Sequence, residues 1–346
     1  MPRIGLFCHC LCYLEFLEKQ TMQYLYRITF AVLCCAIRVS AQTTPAIPYV
    51  TPDTPFGTGA YKAVMEVDAG LPTHTIYHPK DLAKALAVLK GKKLPIIAWG
   101  NGACVNTGNR FRQFLTEIAS HGYVAIALGP IGPKDMEAAP QPAAPPQPGV
   151  TSPPPTRSAP ATMASQLIDA IDWAIKENAR HGSPYFGKLD TKHIAVMGQS
   201  CGGVQAIKAS LDPRVTMTVA WNSGLLPPPA AGAAPSPAME AVPKDHLNKL
   251  HAPIAWFNGD PGDIAHKNAQ NDFELTNHLP ALFAWREGMG HSGTYREPLG
   301  GELGKIAVAY LNWRLKGDKT AAKMFVGKDC GLCNDKSWHV FKKKID

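Results

Sequence analysis

His193-Ile194-Ala195-Val196-Met197-Gly198-Gln199-Ser200-Cys201-Gly202-Gly203, read HIAVMGQSCGG, decides the fold of this chain. HIAVM is a near-continuous apolar run, the pattern of a strand covered on both faces rather than one. A helical stretch, 202–210, follows it directly. Between them a sharp strand-to-helix turn would lift the Ser200 hydroxyl clear of the sheet. Residues two before and two after that serine must then be small to avoid collision, and Gly198 and Gly202 occupy those places. The free amides at the start of the next helix aim at the same point. Ser200 is the expected nucleophile. Cys201 offers a rival thiol, but that register sets the bulkier Gln199 where a small residue is needed. Cys201 is expected instead to donate its backbone N–H to an oxyanion.

Outward from this turn, similar runs recur at 94–99 (LPIIAW), 123–128 (YVAIAL), 215–221 (VTMTVAW), 254–257 (IAWF) and 282–285 (LFAW), after two opening strands at 61–67 and 74–77 that read as antiparallel. Helices fall between them, at 109–120, 161–180 and 302–315. The second carries Ala164, Leu167, Ile168, Ile171, Ala174 and Ile175 on one stripe, with Gly182 beyond its end. Alternating strands and helices predict an α/β protein with a mostly parallel, doubly wound sheet of about eight strands and helices on both faces. Two Pro-rich insertions, 133–160 and 226–243, cannot supply central strands and should leave the carboxyl edge of the sheet.

A serine hydroxyl needs a neighbouring base. Among twelve histidines, His291 stands in the glycine-rich turn GMGHSG (288–293) just after the last apolar run. His246, His251, His266 and His278 come earlier and are read as surface residues. The base needs an orienting carboxylate, and FNGDPGDIA (257–265) offers Asp260 and Asp263 after the seventh strand. Charge on a tetrahedral intermediate needs preorganised donors. One would be the Cys201 amide; the other is expected from WGNGAC (99–104), with Asn101 as the donor. If both are so placed, Cys104 and Cys201 lie close together, which predicts a Cys104–Cys201 disulfide. Trp99, Trp221 and Asn222, at strand ends on the same edge, are candidates for lining a substrate pocket, with core packing as the other role for the two tryptophans.

GQSCGG, WGNGAC, the Asp263 loop and GMGHSG together resemble the α/β-hydrolase superfamily over residues 61–315. They look most like secreted esterases of the cutinase, polyester-hydrolase and dienelactone-hydrolase-like groups. The resemblance selects Asp263 over Asp260 by its spacing from Gly259, leaving Asp260 to cap the turn. It implies the order Ser…Asp…His, an acyl-enzyme mechanism, and no metal or organic cofactor. The cysteine beside the nucleophile and the Pro-rich insertions depart from cutinases, so their substrate preference is not carried over. A carboxylic ester, small-molecule or polymeric, is the expected substrate. An amidase, peptidase or acyltransferase using the same triad, or a non-catalytic binding module on this scaffold, are the alternatives.

Residues 1–41 read as a signal peptide cleaved after Val39-Ser40-Ala41, with 1–21 a gene-model extension if Met22 is the start. The apolar stretch 28–37 is too short for a stable membrane span. An extended lead-in, 42–60, precedes the catalytic domain, 61–317, and a C-terminal extension, 318–346, follows. Five of the nine cysteines (Cys8, Cys10, Cys12, Cys34, Cys35) fall in the leader. Four remain, so Cys330–Cys333 is expected as the second disulfide of a secreted or periplasmic protein. The +8 formal charge comes without a basic block interleaved with aromatics, which argues against nucleic acid as a partner. Lys342, Lys343 and Lys344 are read as a solvated tail.

Overall fold

A computed structural model describes residues 56–88, 92–133, 161–228 and 239–345. All of them belong to the unit of chain Pro48–Asp346. Residues 1–41, expected as a signal peptide, most of the expected lead-in and the bulk of both Pro-rich insertions lie outside the described residues.

The chain opens with β1 (Ala63–Glu66) and β2 (His74–Pro79), then α1 (Leu82–Val88), β3 (Leu94–Gly100), α2 (Arg112–Ser120) and β4 (Val124–Leu128). After the first insertion come α3 (Ala164–Ala179), β5 (Leu189–Gln199), α4 (Cys201–Ala209) and β6 (Met217–Trp221). The remainder is β7 (Ile254–Asn258), α5 (His266–Leu275), β8 (Ala281–Arg286), α6 (Gly301–Lys316), α7 (Lys319–Ala322), α8 (Gly331–Asn334) and β9 (Trp338–Lys343). One sheet holds all nine strands in the order β1-β2-β4-β3-β5-β6-β7-β8-β9. Its middle, from β4 to β8, is parallel, while β1, β2 and β9 run antiparallel to their neighbours.

Eight of these strands lie where the apolar runs place them. The ninth corrects the expected count. Trp338–Lys343 pairs with β8, and His339 stacks on Trp285 with ring centroids 3.8 Å apart. The lysines expected in a solvated tail are engaged as well. The Lys343 ammonium donates to the carbonyls of Phe273, Glu274 and Thr276, at the end of α5 where helix carbonyls lack partners.

Side chains alternate across each strand, so the sheet feeds two layers. Ile97, Trp99, Ala125, Met197, Val219 and Phe257 face α2 and α6 on one side. Ile96, Ala98, Ile126 and Val196 face α3 on the other, where Ala220 and Trp256 meet α4 and α5. Helices therefore cover both faces. β3 leads to α2 on one face, and β5, its neighbour, leads to α4 on the opposite face. Connections that part in this way open a crevice at the carboxyl ends of the two strands, the usual ligand position in open α/β sheets.

Candidate active site

Ser200 sits at that crevice, in the turn between β5 and α4, with φ 53° and ψ −118°. A non-glycine residue seldom adopts this conformation, which costs about 1–3 kcal/mol and persists only where the surroundings enforce it. They do so here. Its N–H donates to the Trp221 carbonyl at 2.9 Å, while its own carbonyl accepts from Gly203 N–H and from the Ser223 hydroxyl at 2.6 Å. The flanking glycines are needed for space. A Cβ on Gly202 would meet the Gly100 carbonyl, and one on Gly198 would meet the backbone of Gly202. The side chain of Ser200 makes no capping bond to α4, so its Oγ stays available.

That Oγ lies 2.8 Å from His291 Nε2, and His291 Nδ1 lies 2.6 Å from Asp263 Oδ1. Three loops, after β5, β7 and β8, thus bring together the serine, carboxylate and imidazole expected as a triad. Asp263 is buried, and burial pushes its carboxyl up. The hydrogen bonds from His291, the Ala265 N–H and Asn222 outweigh that and hold it below its ordinary value. The competing Asp260 instead accepts from Gly262 N–H at 2.8 Å and Gly288 N–H at 3.1 Å, stitching its turn to the loop that carries His291.

Cys104 and Cys201 are disulfide-bonded, with Cα atoms 5.3 Å apart, and Cys330 pairs with Cys333. The first bridge ties the loop after β3 to the residue following Ser200. That loop is tightly wound: Ala103 and Cys104 both have positive φ, 55° and 51°. Asn101 is wholly buried, its amide donating to the carbonyls of Val105, Thr107 and Leu128 and its Oδ1 accepting from Trp99 Nε1. Its side chain therefore braces the loop from behind, and Ala103 is the residue of this loop that reaches the cavity beside Ser200.

This cavity has a volume of about 370 Å³, with Val204, Leu226, Met239 and Ile264 among its apolar walls. Ile264, next to Asp263, is 78% exposed. One wall is held by a buried carboxylate: Asp272 accepts from the Leu225 N–H at 2.6 Å and pairs with the Lys244 ammonium. Burial pushes Asp272 up to about 6 despite that ammonium.

Other expected residues fall elsewhere. Trp99 and Trp221 do not line the cavity. Both are fully buried, and with Phe111, Phe114 and Tyr295 they form a tier of edge-to-face and tilted rings beneath the site. Large rings facing α2 serve the core better than an opening. Asn222 does border the cavity, yet its amide points into the protein toward Asp263. His251 and His278 are exposed as read, but His246 and His266 are buried, bonded to the carbonyls of Ile207 and Gly259. Two residues have contacts at the site that the sequence does not indicate. Gln199 donates to the His291 carbonyl at 3.0 Å, and Tyr295, four residues past His291, donates to Asn222 Oδ1. Gln199 lies inside the GQSCGG turn but stands out there only by its bulk, and nothing in the sequence around Tyr295 marks it.

Among the described residues no group of three or more His, Cys, Asp or Glu side chains is arranged to hold a metal ion, and no helix is long and apolar enough to cross a membrane. No protein-family model and no curated protein matches the chain.

Proposed function

We propose that the chain is a secreted serine hydrolase of α/β-hydrolase type that cleaves carboxylic esters, with Ser200 as nucleophile, His291 as base and Asp263 as its orienting acid. The observation that carries this reading is the unbroken hydrogen-bonded series from Ser200 Oγ through both ring nitrogens of His291 to a buried, ionised carboxylate. A serine bonded only to water has no such route for its proton. The strained Ser200 backbone and the crevice between β3 and β5 support the same reading, as do the disulfides for an exported protein.

In the proposed cycle Ser200 Oγ attacks the acyl carbon while His291 Nε2 takes its proton. The carbonyl π electrons move to oxygen, and the oxyanion is met by the Cys201 amide and by an amide of the loop 101–103, with Asn101 the expected donor. Collapse of the intermediate breaks the ester C–O bond, and His291 returns the proton to the leaving alcohol. Water then attacks the acyl-enzyme, giving its proton to His291. The acid leaves and Ser200 is reprotonated. Asp263 stays ionised throughout, holding the tautomer and stabilising the imidazolium. The apolar cavity walls favour an uncharged acyl or alcohol group.

A fluorophosphonate probe should label the wild type and not Ser200→Ala, and aryl esters should be hydrolysed by the wild type alone. Labelling that survives Ser200→Ala would refute the assignment. Faster turnover of a matched amide than of its ester would move the reading to an amidase.

A further inference from the structure

We propose that Asn222 is a positioning residue for the Asp263–His291 pair, and that Tyr295 determines which way its amide faces. The inference rests on the triad reading above and adds two residues to it, neither of which touches a reacting atom.

Asn222 follows the last residue of β6 and is fully buried, with φ 40°, a left-handed conformation a non-glycine residue rarely takes. Its N–H donates to the Phe257 carbonyl at 2.7 Å, which fixes the turn to the neighbouring strand β7. From there its Nδ2 reaches two loops at once: Asp263 Oδ2 at 2.8 Å and the Gly290 carbonyl, one residue before His291, at 3.3 Å. One amide group therefore spans the loop bearing the acid and the loop bearing the base.

The orientation of that amide is not arbitrary. A carboxylate and a carbonyl can only accept, so the NH₂ end must face Asp263 and Gly290. Oδ1 is left toward Tyr295, whose hydroxyl is the group at that end able to donate. Tyr295 is wholly buried among Trp99, Phe111, Phe114 and Trp221 and does not border the cavity. Burial, reinforced by the nearby Asp263 charge, pushes its phenol far above the ordinary range, so it remains a donor at every working pH.

Asp263 receives two donors on each oxygen. His291 and the Ala265 N–H bond Oδ1; Asn222 and the Gly259 N–H bond Oδ2. The backbone pair comes from the loop of Asp263 itself and moves with it. Besides His291 itself, Asn222 is the donor anchored on another strand, so it sets the rotation of the carboxylate about its last bond. A rotated carboxylate would still be ionised but would lose its line to Nδ1. Misplacement on the scale of 1 Å costs about 10²-fold in rate.

The test measures ester turnover and pH profiles for Tyr295→Phe, Asn222→Ala, their double variant and Asn222→Asp, with folding checked by melting. Tyr295→Phe should lower kcat roughly ten-fold and leave KM within about two-fold, since the cavity is untouched. In the Asn222→Ala background the same change should cost nothing more, because Tyr295 acts through the amide. A hole in the aromatic core would instead cost the same in both backgrounds. Asn222→Asp sets a second carboxylate against Asp263 Oδ2. The two should share one proton and lose it as pH rises, giving a basic limb that the wild type lacks. Additive losses, or an Asn222→Asp profile like the wild type, would overturn the inference.

The resonance of the His291 Nδ1 proton reports the same geometry without any reaction. It should shift in Tyr295→Phe. If the wild type fails to react with fluorophosphonate, the hydrolase reading falls, and this resonance alone decides the inference: moved supports it, unmoved overturns it.

Discussion

Gly100 at the end of β3 and Gly202 in α4 meet backbone to backbone: a Cβ on Gly100 would stand 2.7 Å from both the Cα and the carbonyl oxygen of Gly202. The contact closes the crevice floor and brings the Asn101–Cys104 loop alongside Ser200. Gly202→Ala should force β3 and α4 apart, lowering stability by about 1–3 kcal/mol as overpacked cores do. Ester turnover should fall by more than the stability loss explains. Urea unfolding beside kcat on the folded fraction checks this; an unaffected kcat would separate the contact from the site.

Asp263 is held below the ordinary carboxylate range, so it is ionised wherever histidine titrates. Acid loss of activity should therefore not run through Asp263, and a triad needs only its one base free of a proton. The plot of log kcat/KM against pH should fall with a slope of one on its acid side, and a slope of two would implicate a second group. Asp263→Asn, which keeps the shape but loses the charge, should lower kcat on the order of 10⁴-fold.

The two carboxylates near the cavity respond oppositely to acid. Asp272, raised to about 6, takes its proton more readily folded than unfolded. Its contribution to stability is thus fully present below about pH 4 and lost as pH rises through about 6. The stability of the wild type relative to Asp272→Asn should decline by roughly 2–3 kcal/mol over that interval. Denaturant titrations at pH 4 and 7 measure the difference; a pH-independent gap would contradict the linkage.

Removing the Cys104–Cys201 bridge as a paired Cys→Ser variant opens a loop with a sequence separation of 97. The chain-entropy account puts the cost at about 4–5 kcal/mol. Because the bridge also ties the loop after β3 to the amide of Cys201, kcat should fall alongside stability. The Cys330–Cys333 bridge closes only a short turn, so Cys330→Ser with Cys333→Ser should leave kcat unchanged. Equal kcat losses in both paired variants would argue against a link to the site.

The parallel strands could be read from sequence because strands covered on both faces must be apolar throughout, as in Ile194–Met197. Ser200 and His291 were legible because tight turns force glycines around them, and the Cys104–Cys201 proximity followed from where two amides must converge. β9 escaped notice for a physical reason. An edge strand pairs on one side only, so Trp338–Lys343 mixes buried and half-exposed positions and resembles a polar tail. Trp99 and Trp221 show a second limit. The face on which an interior ring lies depends on register with its neighbours, and both faces here are apolar. Asn222 shows a third: one asparagine among many gains its role from the strands that meet around it.

The bridge between Cys104 and Cys201 encloses α2, β4, α3 and β5, together with the first Pro-rich insertion, in one covalent ring. A protease that cut once inside this ring would leave two fragments still joined through sulfur. The nicked protein would run as one band on a non-reducing gel and as two after reduction. Its serine and the loop beside it would stay tethered, so a single cleavage there need not abolish the proposed activity.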